Sequence, residues 1–488
     1  MSDARRAPGT ARSEAGPYPL LLAGAAAGAM GWGIRGQYGH ETGAMIAGLL
    51  VSLAIVLGLR PRASSAWAMR AVAFGTIGVG FGGAMTYGQT IGLTQDAALV
   101  GNLAALRWGL TGLAVKGAVW IGFFGACLGM GLGTTRYRSR ELALLMLALV
   151  AVAMAGVWLL NEPYVPAERL LPRLYFSASW YWRPDVVDLK PRREVWGGLL
   201  LALAALGIYT RWRGDRLAPR LLGWGLLGGA LGFPLGQCLQ AYHAWHPDTF
   251  SRGLWAAFDP FVNWWNAMET TFGGVMGLCV ALGAWRHRAL VAAPASWAPL
   301  ADAADVHAPG GWLSPWIEWT GLAVHVALLT IAEFTDLPGL GRYADVSLLM
   351  GVLPLALVTT GRWSPAAIAL PVTLLPIAGK TAGRLVFEQH QLAPPIGVFL
   401  YVVLPLGLAC GLAWWLVRGA AGRRDDGHGL RVTLLASAWL YFWLNFAFFD
   451  VPWPWAPWTT RTIHALVFFA CACVLTWHAL RPARGSHA

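Results

Sequence analysis

The stretch that decides the fold covers residues 17–48 and reads "PYPLLLAGAAAGAM" followed by "GWGIRGQYGHETGAMIAG". Its first part is an apolar run rich in small residues, and a second apolar run follows at 42–59. Each run is about as long as a helix that crosses about 30 Å of hydrocarbon. The residues between the runs include Arg35, Gln37, His40 and Glu41. The stretch therefore predicts a helical hairpin with a polar tip.

The whole chain has the same apolar character. Of its 488 residues, 57% are hydrophobic and 12% are charged, which is more apolar surface than one water-soluble core can bury. The sequence predicts an all-α, polytopic integral membrane protein. About fourteen spans are predicted by hydropathy, at 18–34, 42–59, 71–94, 109–133, 141–160, 195–210, 220–240, 265–285, 312–333, 346–360, 364–379, 396–417, 430–449 and 462–480. The run at 364–379 is short and rich in proline, so any count from 12 to 14 fits the sequence.

The spans are divided by an Ala/Pro-rich segment. We expect an N-terminal tail at 1–17, an N-terminal membrane domain of about eight helices at 18–285, and a cytoplasmic linker at 286–311. A C-terminal membrane domain of about six helices follows at 312–480, and a short tail at 481–488 ends the chain.

The net charge of +12 comes from arginines whose placement indicates orientation. They concentrate in both tails and in every second connection, as Arg60, Arg136 and Arg211 illustrate. The positive-inside rule then places both termini in the cytoplasm of a bacterial-type inner membrane. The lipid bilayer is the expected partner, no nucleic acid is expected, and the oligomeric state cannot be read from the sequence.

Three predicted helices share a pattern in which small residues lead to an aromatic residue and a closing Gly-Gln. The copies are "GAMGWGIRGQ" at 28–37, "GGAMTYGQ" at 82–89 and "GGALGFPLGQ" at 228–237. The helices that return across the membrane each begin with one charged residue, Glu41, Lys116 or Glu269, followed by small residues. The pattern predicts tandem glycine-rich hairpins, an arrangement common in transporters.

Glycines at four-residue spacing, such as Gly24 with Gly28 and Gly273 with Gly277, predict close helix packing in lipid. At the helix ends a second interpretation is open. Gly33 and Gly36 beside Arg35 could unwind the helix and free backbone groups to hold a ligand or an ion.

Polar residues recur at the helix ends predicted to lie on the extracytoplasmic face. Buried ionisable groups cost several kcal/mol unless they line water or pair with each other, so this recurrence predicts a polar cavity open to that face. The candidate substrate-binding residues are Arg35, Gln37, His40, Glu41, Gln89, Lys116, Gln237, His243 and Glu269. The alternative is that such residues form structural pairs, for instance Glu41 with Lys116, that lock helices together.

Two other outer segments have distinctive chemistry. In "QAYHAWHPDTF" at 240–250, His243, His246 and Asp248 are candidate metal ligands, but their spacing matches no metal motif. No metal is therefore predicted, and the cofactor is unknown. The loop at 161–194 is rich in aromatic and charged residues, and it could lie on the membrane as a lid.

Three function classes fit this sequence. The first and favoured class is a transporter, or permease, of a small polar or anionic solute, with Glu41 and Glu269 as coupling carboxylates. The second is a membrane-embedded transferase or hydrolase acting at the extracytoplasmic face on a lipid-linked substrate such as a glycan carrier. Its general base would be Glu41, His40 or Glu269, and Arg35 and Lys116 would hold a phosphate. The third class is a non-catalytic scaffold or sensor, so enzyme activity stays an open question.

Overall fold

The computed structural model describes residues 16–35, 38, 41–63, 65–292, 364–420, 427–448 and 458–482, with isolated residues between 320 and 337. Within these ranges the chain is helical and contains no β-strand; a single isolated bridge joins Val165 and Leu170. The all-α prediction is confirmed for the described part of the chain.

Eleven α-helices cover the N-terminal part. They are α1 (Tyr18–Arg35), α2 (Glu41–Leu59), α3 (Ser65–Gly82), α4 (Gly88–Gln95), α5 (Leu103–Leu132), α6 (Ser139–Leu160), α7 (Trp196–Trp212), α8 (Ala218–Trp245), α9 (Pro247–Phe250), α10 (Gly253–Phe258) and α11 (Trp264–Arg286). The described C-terminal helices are Ser364–Ala382, Pro394–Val398, Leu404–Ala420, His428–Phe448 and Thr462–Leu480, with π-helical turns at Gly383–Glu388 and Phe399–Val403.

Among the described residues, five helical stretches are long and apolar enough to cross a membrane. They are Leu103–Leu132, Glu141–Leu160, Trp264–Arg286, Pro394–Leu416 and Thr462–Leu480. Their length and composition fit a multi-pass membrane protein. About fourteen crossings, cytoplasmic termini and the division at 286–311 stay predictions, and the spans at 312–333 and 346–360 fall largely outside the described residues.

One predicted span differs from the structure. The apolar run at 71–94 is two helices, because α3 ends at Gly82 and α4 begins at Gly88. At Gly82 the helix packs so closely on α5 that a Cβ atom would lie 2.6 Å from the carbonyl oxygen of Trp120. The break takes Thr86 out of a helix, and its carbonyl oxygen accepts a hydrogen bond from the Lys116 ammonium at 2.9 Å.

Six helices pack as a closed ring in the order α1, α2, α3, α5, α8 and α11, and α11 returns to α1. The short helix α4 packs on α5 and α8. Helix α7 lies between α6 and α5, and the C-terminal helices cover α1, α2 and α3. The ring positions the site, because the polar ends of its helices meet at one end.

Glycines let the ring helices approach each other. A Cβ atom at Gly28 would overlap the carbonyl oxygen of Gly273, and one at Gly277 would overlap that of Gly24. Small residues permit such backbone contact between membrane helices, where burial of apolar surface provides little drive to associate. The interpretation of these glycines as packing residues is confirmed.

Candidate functional site

A buried ion pair joins α1 to α11, which are the first and last helices of the ring along the chain. Arg35 is the last residue of α1 and Glu269 lies near the start of α11; Arg35 Nη1 is 3.2 Å from Glu269 Oε1. Arg35 is 1% exposed and Glu269 is 0% exposed. Removing two charges from water costs several kcal/mol per ion unless they are paired, so this pair depends on its geometry.

Tyr87 lies between these two charges, in the connection that follows the break after α3. Its hydroxyl donates a hydrogen bond to Glu269 Oε1 at 2.8 Å and accepts one from Arg35 Nη1. Trp265 donates from Nε1 to the same carboxylate oxygen at 3.0 Å. We name Arg35, Tyr87 and Glu269 the buried triad.

The two oxygens of the Glu269 carboxylate differ in their hydrogen bonds. Its Oε1 atom accepts hydrogen bonds from Arg35, Tyr87 and Trp265. Its Oε2 atom is also buried, but it has no hydrogen-bond partner among the described residues. A buried polar atom without a partner is costly, and such atoms in native structures call for an explanation.

The guanidinium of Arg35 is enclosed by aromatic rings. Its Cζ atom lies 5.3 Å from the ring centroid of Trp32, 5.1 Å from that of Tyr87 and 5.0 Å from that of Trp120. Each such cation–π contact contributes roughly 0.5–2 kcal/mol, more when water is excluded. Arg35 is therefore held in place by these aromatic rings as well as by the ion pair with Glu269.

The aromatic residues of the three sequence motifs meet in this region. Phe233 stacks on Phe272 with ring centroids 4.4 Å apart, and Trp32 meets the same Phe272 ring edge-to-face at 4.4 Å. Tyr87 contacts Phe233 at 4.9 Å. The three motifs thus contribute to one aromatic cluster, which includes Tyr87 of the buried triad.

Further polar groups near the triad are only partly hydrogen-bonded. Asn266 donates to the Gly33 carbonyl at 3.2 Å, and Gln237 donates to Thr94 Oγ1 at 2.7 Å. The side-chain oxygens of Asn266, Gln237 and Thr270 are buried without a hydrogen-bond partner within the described ranges. These acceptors lie on α8 and α11, at the same end of the ring as Glu269.

Lys116, predicted to bind substrate, has a complete set of protein partners instead. Its ammonium lies 2.6 Å from Glu194 Oε1, 2.7 Å from Thr90 Oγ1 and 2.9 Å from the carbonyl oxygen of Thr86. An ammonium has three N–H donors, so all of them are used. Lys116 thus forms a structural ion pair, as the alternative interpretation proposed, but its partner is Glu194 and not Glu41.

Sequence reasoning missed Glu194. It precedes α7 at the end of the predicted outer loop, and its carboxylate also accepts hydrogen bonds from Ser177 Oγ at 2.8 Å and from the Phe176 amide at 2.9 Å. The available signal was a carboxylate directly before a predicted span, a position that the hydropathy analysis assigned to the loop.

The loop at 161–194, which the sequence predicts on the outer face, packs on the protein. Gln89 donates from Nε2 to the Lys190 carbonyl at 2.9 Å and accepts from the Arg192 amide at 2.8 Å. Arg183 pairs with Asp96 at 2.6 Å, just after α4. Gln89 therefore fastens the loop at 161–194 to α4, a role different from the predicted contact with substrate.

The structure describes only some of the remaining candidates. Gln37 and His40 lie outside the described residues, and Glu41 begins α2 with a side chain that is likewise outside them. His243 Nε2 lies 2.9 Å from Asp259 Oδ1. His246 and Asp248 are exposed, and within the described part of the chain no three His, Cys, Asp or Glu side chains form a group able to hold a metal.

Comparisons of this chain with protein-family models, with curated proteins and with solved structures found no match.

Proposed function

We propose that the protein is a multi-pass membrane transporter of a small polar or anionic solute, and that the buried triad is its binding and coupling site. One observation carries the proposal. The carboxylate of Glu269 is fully buried, yet among the described residues its hydrogen bonds all go to Oε1 and none goes to Oε2. Intramembrane ionisable groups that line substrate or proton pathways are typical of transporters.

The architecture supports this proposal. The three hairpins predicted from the sequence correspond to α1 with α2, α3 with α5, and α8 with α11, and each pair lies side by side in the ring. We interpret them as tandem glycine-rich repeats. Repeated helical units that surround a shared polar site are common in transporters, where one unit moves against another.

The closed state of the site is also consistent with transport. Glu269 and Lys116 are buried, and the outer loop is fastened over α4 by Gln89. We propose that α4 and this loop move to admit a solute to the buried triad from the extracytoplasmic face. We therefore take this conformation as occluded, in an inner membrane with both termini in the cytoplasm.

The alternative, a transferase or hydrolase acting on a lipid-linked substrate at the outer face, needs cations available to hold phosphate. Lys116 does not meet this requirement, because Glu194, Thr90 and Thr86 occupy its three donors. This pairing favours the transporter over the enzyme. A scaffold or sensor gives no reason for the unpartnered oxygen of Glu269.

Two-sided labelling of residue 237 tests the proposal. Gln237 lies on α8, is buried and contacts Thr94 of α4. The thiol of Gln237→Cys, in a background where the six native cysteines are replaced, reacts only when the ring opens. We expect an impermeant maleimide to label it from either face of sealed vesicles. Tyr181→Cys, in the exposed part of the outer loop, is the control and should react from the extracytoplasmic face alone. Labelling of residue 237 from that face only would support the enzyme, and no labelling would support the scaffold.

A further inference from the structure

We infer that the solute is a small monocarboxylate, carried together with one proton in an electroneutral step in which the solute carboxylate replaces Glu269 on Arg35. This inference rests on the transporter function proposed above. It identifies the class of solute and the coupling from the charges that the buried triad holds.

The buried triad carries one positive and one negative charge. Arg35 and Glu269 form a neutral pair, and Tyr87 is an uncharged phenol between them. Arginine cannot be deprotonated in a protein, whereas a carboxylate can accept a proton. The positive charge of this site is therefore permanent, and only its negative charge can be exchanged.

The charge of a solute decides whether this site can accept it. A cation would add to the permanent charge of Arg35 and leave an uncompensated positive charge in a buried region, which costs several kcal/mol. A neutral solute has no charge with which to displace Glu269 from Arg35. A monovalent anion leaves the site neutral only if Glu269 takes one proton.

The geometry of the ion pair between Arg35 and Glu269 allows the two side chains to separate. Arg35 Nη1 lies 3.2 Å from Glu269 Oε1, longer than the 2.7–2.9 Å typical of charge-assisted hydrogen bonds. The guanidinium keeps its contacts with Trp32 and Trp120 when the carboxylate leaves. Arg35 is thus already positioned to receive a second carboxylate.

The proton that accompanies the solute binds to the Glu269 carboxylate. In the protonated acid, Oε2 of Glu269 carries the proton, and Oε1 keeps the hydrogen bonds from Tyr87 at 2.8 Å and Trp265 at 3.0 Å. Atoms and charges balance: the solute anion and one proton enter, Glu269 becomes a neutral acid, and both are released together on the other face. No covalent bond other than this O–H bond forms or breaks.

The elements packed against α11 and against α1 carry other titratable groups. Arg35 and Tyr87 are the ones that act on the Glu269 carboxylate directly. On α8, His243 is paired with Asp259, and α2 begins with Glu41. The helix Thr462–Leu480, which packs on α1, carries the buried His464. Among the side chains that the structure describes, Arg35 is the one that forms an ion pair with Glu269.

The test uses the full-length protein in proteoliposomes at zero membrane potential. The probes are radiolabelled gluconate as a monocarboxylate that crosses lipid poorly, choline as a cation and glucose as a neutral solute. A one-unit pH gradient, acidic outside, is expected to drive about tenfold accumulation of gluconate and none of choline or glucose, because one proton accompanies each anion. A potential imposed with potassium and valinomycin is expected to leave the accumulation unchanged.

The matched variants are Glu269→Gln and Glu162→Gln. Glutamine cannot take up the proton, so accumulation by E269Q is expected to fall from about tenfold to about one at zero potential. Glu162 pairs with Arg193 in the outer loop and lies outside the site, so E162Q is expected to accumulate gluconate like the wild type. Size-exclusion chromatography shows whether each variant is folded, and the wild-type measurement with valinomycin decides the question if E269Q is not.

Three results would overturn the inference: gluconate uptake that follows the imposed potential, pH-driven accumulation retained by E269Q, or uptake of choline or glucose in place of gluconate. The absence of gluconate uptake in protein whose residue 237 is labelled from both faces would overturn the solute class while the transporter proposal stands. Labelling from one face alone would overturn both.

Discussion

Lys116 and Glu194 form a buried ion pair in which Nζ lies 2.6 Å from Oε1 and both side chains are 1% exposed. The pair joins the middle of α5 to the residue that ends the outer loop before α7. It therefore couples the loop at 161–194 to the helix ring, directly beside the segment that carries Tyr87.

Removal of one member of this pair is expected to destabilise the protein strongly. In Glu194→Ala the Lys116 ammonium stays buried without its counter-charge, at a cost of about 3–5 kcal/mol. The double variant Lys116→Met with Glu194→Leu is expected to recover part of this loss, because it leaves no buried charge. Thermal unfolding of the purified protein in detergent measures both effects.

The control for this prediction is Arg193→Ala, which removes the neighbouring pair with Glu162. The Arg193 side chain is 57% exposed, and such surface pairs contribute at most about 1 kcal/mol. Similar melting temperatures for the Glu194 and Arg193 variants would contradict the assignment of Lys116 and Glu194 as the internal lock.

Two glycines of α8 are expected to respond differently to alanine. A Cβ atom at Gly229 would overlap the carbonyl oxygen of Gly117 on α5, whereas a Cβ atom at Gly223 meets no atom within 4 Å. Gly229→Ala is expected to lower stability by roughly 1–3 kcal/mol, because α5 and α8 must separate. Gly223→Ala should be neutral or slightly stabilising, since alanine favours helix by about 1 kcal/mol. Equal melting temperatures would show that the ring does not depend on this contact.

Gln89→Ala is expected to loosen the outer loop. The substitution removes the two hydrogen bonds that join α4 to Lys190 and Arg192. Trypsin can cut after Arg192, which is followed by Arg193. Limited trypsin digestion from the extracytoplasmic face should therefore cut the loop several-fold faster than in the wild type. Glu168→Ala, an exposed change in the same loop, is the control and should leave the rate unchanged. An unaltered rate in Q89A would refute the fastening role of Gln89.

Asp215 is expected to make stability depend on pH. It lies in the turn between α7 and α8, where Oδ1 accepts from the Leu217 and Ala218 amides, both at 2.9 Å. Burial raises the pKa of this carboxyl above its ordinary value of 3.8, in spite of these donors. The folded state then binds the proton more tightly than the unfolded state, so the stabilisation is present below pH 3.8 and is lost as pH rises through the raised pKa.

Asp215→Asn isolates this effect, since an asparagine oxygen can still accept from the two amides and does not titrate. Melting temperatures measured between about pH 4 and pH 7 should show the wild type losing stability relative to D215N as pH rises. A difference between the two proteins that is constant across this range would exclude the raised pKa.

The sequence determined the features that depend on local pattern. The length and polarity of the runs at 18–34 and 462–480 predicted helices that the structure shows as Tyr18–Arg35 and Thr462–Leu480. The four-residue spacing of Gly24 and Gly28 predicted one face of small residues, which packs on α11. These features follow from helix geometry and hydropathy alone, because each involves residues within a few turns of one another.

Tertiary structure decided the partners of the polar residues. Arg35, Lys116, Gln89 and Glu269 were recognisable as unusual in an apolar chain, but only the order of helices in the ring pairs Arg35 with Glu269. The same packing brings Lys116 into an ion pair with Glu194 and Gln89 into hydrogen bonds with the loop at 161–194. Hydropathy also did not reveal the break before Tyr87, where α3 ends at Gly82 and α4 begins at Gly88. A buried charge is stabilised by whichever opposite charge the packed backbones bring within a few ångströms, and separation along the chain does not specify that neighbour.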